Sequence, residues 1–336
     1  MLTVRQGFPA KVNAYGFTLA MSFSADGKHV LGGGKSGVRV WRMARDLDVV
    51  ATMEARSVTC LAVSKDHKWI AAGTQKGDVF MWDATTYEKV FSHCREGGVV
   101  HGVDFSPDST GLLVASHSNT AIVWDVASHK QARSLRHEDG ELALGLTAAK
   151  YSPQGNRIAT ATQHTVRIWD NQDGRPLANI KEIVAVDWNE CLHWLDNNRL
   201  LVISDTIKLF EASTGRLASK WPVPNSNKLS CIALPRRGDL VVYSTGQTVT
   251  SWDTSAHTKL AFMIHPEEIH SIALSPDNLF LAIGGHYGEM VVTRDDLPLP
   301  DHTASIVYSQ IEMTRSAGLH LQASPINQLF PGSYST

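Results

Sequence analysis

The segment Gly32-Gly33-Gly34-Lys35-Ser36 is the first stretch of this chain whose residue types suggest chemistry, because glycines followed by lysine and serine end the loops that cradle phosphates. Such a loop needs its leading glycine five positions before Gly34, where His29 stands, and a helix after the serine to aim backbone amides at phosphate. Val38-Arg39-Val40-Trp41 follows instead and reads as a strand. Cys191-Leu192-His193 offers two metal donors, but zinc takes three or four ligands and no partner pair stands at a suitable spacing. Fifteen histidines are scattered along the chain, and neither His-Glu-x-x-His nor Gly-x-Ser-x-Gly occurs. No catalytic residue, no metal site and no cofactor is expected from these patterns. What remains is a set of charged loop residues, whose use depends on the frame that carries them.

That frame is periodic. Trp41-Arg42, Trp82-Asp83, Trp124-Asp125, Trp169-Asp170 and Trp252-Asp253 recur in phase, with Phe210-Glu211 and Thr293-Arg294 in the two slots that lack tryptophan. Successive spacings are 41, 42, 45, 41, 42 and 41 residues. A period of that length is the mark of a propeller array, in which each repeat is a small sheet unable to bury both faces alone. Ahead of each slot stands a second landmark, as in FSADG at 23–27, FSPDS at 105–109 and LSPDN at 274–278, with a looser version around Trp194 to Asn198. Serine, proline, aspartate and glycine in that order end a strand in a tight turn. Strand-like runs follow, as in Lys28-His29-Val30-Leu31 and Arg157-Ile158-Ala159-Thr160, so the pattern predicts four strands in each of seven repeats.

These repeats resemble the WD40 family over about residues 14–297. The resemblance implies an all-β fold, a seven-bladed propeller of four-stranded antiparallel blades. Their irregularity is similar to that of the divergent WD40 proteins that fungal genomes carry in many copies. In the family a histidine ahead of the turn and an aspartate six residues before the tryptophan are joined through a serine to the indole. Here the aspartate slot holds Lys35, Lys76, Ser118, Gln163, Ser204, Gly246 and Tyr287, none of them acidic. His265 alone keeps the family spacing, while His93 and His137 are displaced by two and five residues. The expectation is an intact but softer propeller in which this network is lost and His265 is a locally bonded turn residue. The resemblance also implies that the N-terminal segment around Leu2 to Arg5 closes the last blade. Ser305-Ile306-Val307-Tyr308-Ser309-Gln310-Ile311 competes for that place. Residues 1–298 are thus read as one propeller and residues 299–336 as a mostly unordered polar tail, resembling a linker or the stump of a longer protein.

Composition fits this frame. Seven units of about 42 residues use roughly 294 residues. With 43% apolar residues, 19% charged residues and a net charge of −2, the chain has core-forming material and no overall pull toward nucleic acid or an anionic membrane. No apolar run approaches the roughly 18 residues of a membrane span, and the first residues lack the apolar stretch of a secretory signal. An intracellular place, cytoplasmic or nuclear, is expected. Cys60 and Cys231 fall in the same slot of two repeats and read as buried thiols.

On a propeller, function collects where loops from all blades converge. By resemblance that face is built from the turns before the tryptophan strand and from the connections entering each blade. Those segments bring Lys35, Arg56, Lys76 and Arg95 from the first three repeats. They bring Glu138, Asp139, His164, Glu182, Lys228, Glu267, Glu268 and Tyr287 from the others. Cations gather early in the chain and acids late, so the face has two poles. The expected function is a non-enzymatic scaffold that docks partner proteins or peptides of mixed charge there. The alternative is a propeller enzyme or small-molecule receptor with a ligand in the central channel, for which the sequence offers only scattered acids.

Overall fold

The computed structural model describes residues 4–7, 18–43, 48–94, 98–137, 145–182, 191–203, 206–222, 229–234, 240–253, 258–265, 267–285 and 289–294. The competing closing strand at 305–311 and the polar tail lie outside them. Among the described residues every element is a strand, and the strands form seven four-stranded antiparallel sheets. In chain order the sheets, hereafter blades, begin with inner strands Thr18–Phe23, Val58–Val63, Val100–Phe105, Ala148–Tyr151, Leu192–Trp194, Leu229–Ala233 and Ile269–Leu274. Six blades follow the chain strand by strand. Blade 7 takes its outer strand from the other end of the chain, where Val4–Gly7 pairs antiparallel with Glu289–Arg294 in the register Val4 to Val292. The glycine run lies in the strand His29–Gly34, and a two-residue turn leads into the strand Gly37–Arg42.

The serine-aspartate turns act as the sequence suggests. Ser106 donates to Asp108 Oδ1 at 2.5 Å, the same carboxylate oxygen accepts from Thr110 N at 3.1 Å, and Gly111 N donates back to Ser106 Oγ at 2.8 Å. Equivalent bonds join Ser24 to Asp26, Ser64 to Asp66 and Ser275 to Asp277. The Ser106 hydroxyl, opposed in part by burial and aided by Thr110, holds the Asp108 carboxyl below the usual carboxylate range.

Apolar side chains join each blade to the next around the ring. Leu31 and Val38 of blade 1 pack with Val58, Ile70 and Trp82 of blade 2. Met81 of blade 2 meets Val103 and Leu112 of blade 3, and Leu113 of blade 3 meets Ile158 and Trp169 of blade 4. One larger cluster links Ile168, Leu200, Phe210 and Tyr243 across blades 4, 5 and 6. Val242 with Ile283, and Ala282 with Val30 and Trp41, complete the circuit through blade 7 back to blade 1. Each such side chain contributes about 1.5–3 kcal/mol when fully buried, so this circuit outweighs any single polar network. The packing is close: a Cβ on Gly33 would stand 2.5 Å from Val58 Cγ1. Cys60, Cys191 and Cys231 are buried thiols outside any disulfide, and Cys60 and Cys231 each follow a bulge at the same step of the inner strand.

One expectation needs correction, because the tryptophan network is not lost throughout. In blade 4 the Trp169 indole donates to Thr160 Oγ1 at 2.7 Å, and Thr160 Oγ1 lies 2.6 Å from His137 Nε2. His137 Nδ1 faces Thr165 Oγ1 at 3.4 Å, so a hydroxyl two residues beyond the family's aspartate slot takes the contact the family gives to a carboxylate. Thr160 lies two residues beyond Ile158, the cross-strand partner of Trp169. The same register holds Gly32, Ala72, Val114, Val202, Tyr243 and Ile283 in the other blades. Among these seven only Thr160 is both small enough to fit beside the indole and able to bridge it to a histidine.

Candidate partner-docking face

The turns between second and third strands and the connections between blades lie at one end of the ring, and backbone bonds stitch them together. Ser57 N donates to Lys35 O at 3.2 Å, and Gln75 N donates to Ser57 O at 2.9 Å. His117 N bonds Val99 O, His137 N bonds Asn119 O, Glu182 N bonds His164 O and His265 N bonds Gln247 O, all between 2.7 and 3.1 Å. Each connection therefore rests on the turns beside it, and the face is a bonded rim.

Within this rim Lys35, Arg56 and Lys76 are exposed and carried on neighbouring segments of blades 1 and 2. The Lys35–Ser57–Gln75 backbone chain fixes their spacing. Gly37, beside Lys35, has φ +130°, and a Cβ there would lie 2.4 Å from Met53 O, so no other residue fits that turn unstrained. Ser57 adopts φ 56°, which turns the connection sharply at Arg56.

The late half of the face differs from the sequence reading. Glu182 is bound to Lys208 of blade 5 at 2.5 Å, with both side chains about four-fifths covered, so its charge is locally balanced. Glu267 is 8% exposed and packs over Gly285, where a Cβ would come within 2.6 Å of its Oε2. His265 beside it is also buried, and its Nδ1 accepts from Glu267 N at 3.2 Å. Glu268 and His164 are exposed. Arg95, Glu138, Asp139, Lys228 and Tyr287 lie outside the described residues. The structure thus brings Lys35, Arg56 and Lys76 together and turns Glu182 and Glu267 inward. Sequence reasoning missed Lys208, which sits on a strand rather than in a loop.

His137, Glu182 and His265 hold the same place, directly after an outer strand, with the backbone N–H bound to the turn of the same blade. Each takes the partner its surroundings offer, namely Thr160, Lys208 and the Glu267 backbone. Among the described residues no group of three or more histidine, cysteine, aspartate or glutamate side chains could hold a metal ion, and no helix is long and apolar enough to cross a membrane.

A family model described as the nucleolar protein 10-like N-terminal domain, a β-propeller, matches residues 47–212. WD repeat-containing protein 18 of Danio rerio is 24% identical over 92% of this chain and 75% of its own length. WD repeat-containing protein 1 of Xenopus tropicalis is 39% identical over 63% of this chain and 37% of its own. The U3 small nucleolar RNA-associated protein 15 homolog of Xenopus tropicalis is 21% identical over 67% of this chain and 43% of its own. The chain therefore spans three quarters of the first relative and less than half of the other two. In-phase repeats, four-stranded blades and these likenesses together identify this chain as a β-propeller built of WD-type repeats.

Proposed function

We propose that this propeller is a non-enzymatic scaffold that docks partner proteins on its loop face, with the cationic rim of blades 1 and 2 as the anchor for an acidic partner segment. The observation that carries the reading is the Lys35–Ser57–Gln75 backbone chain, which holds Lys35, Arg56 and Lys76 at fixed positions on exposed turns. Preorganised cations of this kind steer encounter and reject partners of like charge. Arg95, Glu138, Asp139, His164, Lys228, Glu268 and Tyr287 extend the surface, while Glu182 and Glu267 shape it from within. The name of one relative, U3 small nucleolar RNA-associated, and the description of the matching family model, nucleolar protein 10-like, support a nuclear place within a ribonucleoprotein assembly. With a net charge of −2 the contacts in that assembly are read as protein to protein. Residues 1–298 form the scaffold in this reading, and 299–336 a polar tail.

Quantitative affinity purification tests it, comparing wild type with the folded variant Lys35→Glu, Arg56→Glu, Lys76→Glu, each with and without ribonuclease. Specific proteins that persist after ribonuclease and fall at least tenfold with the variant are the expected result. Equal recovery by both proteins would make this face idle.

A further inference from the structure

The inner strand of blade 3, Val100–Phe105, carries a bulge: Val100 pairs with Ser116 and Gly102 with Ala115, so His101 has no place in the ladder. Beside it His117 directly follows the second strand, Gly111–Ser116, at the end of the ring that carries the loops. The two imidazole rings stand 5.9 Å apart, centre to centre, and are inclined at 48°. His117 is exposed and His101 partly buried.

Backbone contacts hold this pair in place. His117 N donates to Val99 O at 2.9 Å, and Leu146 N donates to Ser116 O at 3.1 Å. Gly98 and Gly145 press on His117 from the two flanking connections, with φ +110° and +88°, and a Cβ on Gly145 would lie 2.6 Å from the His117 carbonyl carbon. The rings themselves are unspent. Neither forms a hydrogen bond or an ion pair among the described residues, in contrast to the bonded rings of His137 and His265. Burial of His101 and repulsion from His117 favour the neutral ring, the form that keeps a lone pair for a ligand. The inner strands of blades 1, 2 and 6 bulge at the same step but bring Leu19, Thr59 and Ser230 there. The sequence repeats the pair at the same spacing in blade 7, as His270 and His286, of which His286 lies outside the described residues.

We propose that His101 and His117 together ligate a divalent transition-metal ion on the loop face of blade 3. Imidazole nitrogens suit zinc, copper and nickel. With metal–nitrogen bonds of about 2.0–2.1 Å, two rings on one ion stand about 5–6 Å apart at their centres, and the observed separation falls in that range. The rings are inclined rather than stacked, so rotation of the exposed His117 ring can bring both in-plane lone pairs to one point. Two protein ligands leave coordination positions open to solvent, so the ion is exchangeable rather than a closed structural centre. The site is separate from the cations of blades 1 and 2 and needs no docked partner.

The probe is Zn²⁺, titrated into the full chain with carbon-labelled histidine rings and followed by NMR, the two signals being assigned through His101→Gln and His117→Gln. Both signals are expected to shift together, saturably and ahead of the other histidines. His117→Gln weakens the effect on His101 about tenfold or more. His67→Asn, which removes an exposed histidine from a turn of blade 2, changes nothing. Cu²⁺ binds the same two rings more tightly than Zn²⁺, while Mg²⁺, which takes oxygen ligands, leaves them unmoved. Thermal melts confirm that each variant is folded, and His117→Gln, at an exposed position, carries the test if His101→Gln does not fold. A His101 shift that survives intact in His117→Gln, shifts of the pair no earlier than those of other histidines, or an equal response to Mg²⁺ or inorganic phosphate would overturn the proposal.

Discussion

His137 and His265 stand at the same place in their blades, directly after an outer strand, with the backbone N–H bound to the turn of the same blade at 2.8 and 2.7 Å. Beyond that they diverge. His137 reaches Thr160 Oγ1 and through it the Trp169 indole, while His265 turns back on its own connection and accepts from Glu267 N. The cause lies one strand away. Where blade 4 has Thr160, blade 7 has Ile283, and position 293 is not a tryptophan, so the step that bridges histidine to indole in blade 4 is apolar in blade 7 and there is no indole to bridge to. Position delivers the histidine, and the second strand decides whether a network forms. Blade 7 nevertheless closes the ring through apolar contacts with blades 6 and 1, so the network adds stability to a fold that packing already specifies.

The sharpest way to break the difference is Thr160→Val, which keeps the side-chain shape and gives blade 4 the apolar register of blade 7. It strands the Trp169 N–H and a His137 ring nitrogen in a buried site, and a loss of about 2–4 kcal/mol is expected by denaturant unfolding. Gly285→Ala tests the other side. Thr162 stands at the matching step of blade 4, but in blade 7 the Glu267 carboxylate fills that space, so a methyl must displace it at a cost of about 1–3 kcal/mol. Next in size is a paired comparison of Trp169→Phe with Trp252→Phe. The Trp252 indole N–H is buried and has no acceptor among the described residues, so losing it removes no bond seen there, and Trp169→Phe is expected to cost about 1 kcal/mol more.

The smallest effect concerns a third histidine. Burial, together with the nearby His117, lowers the His101 pKa. The folded state therefore favours neutral His101, and the unfolded state takes up the proton first as pH falls. Stability from this group is present above about pH 6.5 and lost on acidification toward the lower folded value. His101→Gln should flatten the pH dependence of unfolding between pH 7.5 and 5.5, and an unchanged slope would contradict this assignment.

Much of this was legible in the residues. The period, the turn signatures and the alternating strands announced seven blades, because each repeat must satisfy the same packing. The histidine network was not, for a physical reason. Counting back from the turn placed His137 five residues out of register, but the connection after it is longer in blade 4, and loop length does not move the residue fixed to the preceding strand. Counted forward from Lys130–Arg136, His137 falls in place. The two-pole face was only half legible as well. Glu182 and Glu267 look like surface acids in sequence, and nothing local to them reveals Lys208 on the next blade or the space above Gly285.

The most direct test of the docking account places a photo-crosslinking amino acid at Gln75, between the cations of blades 1 and 2, or at Val90, exposed on the outer strand of blade 2. The account predicts specific protein adducts from Gln75, lost when Lys35, Arg56 and Lys76 are reversed, and few from Val90. Equal adducts from both positions, or adducts from Gln75 that survive the reversal, would contradict it.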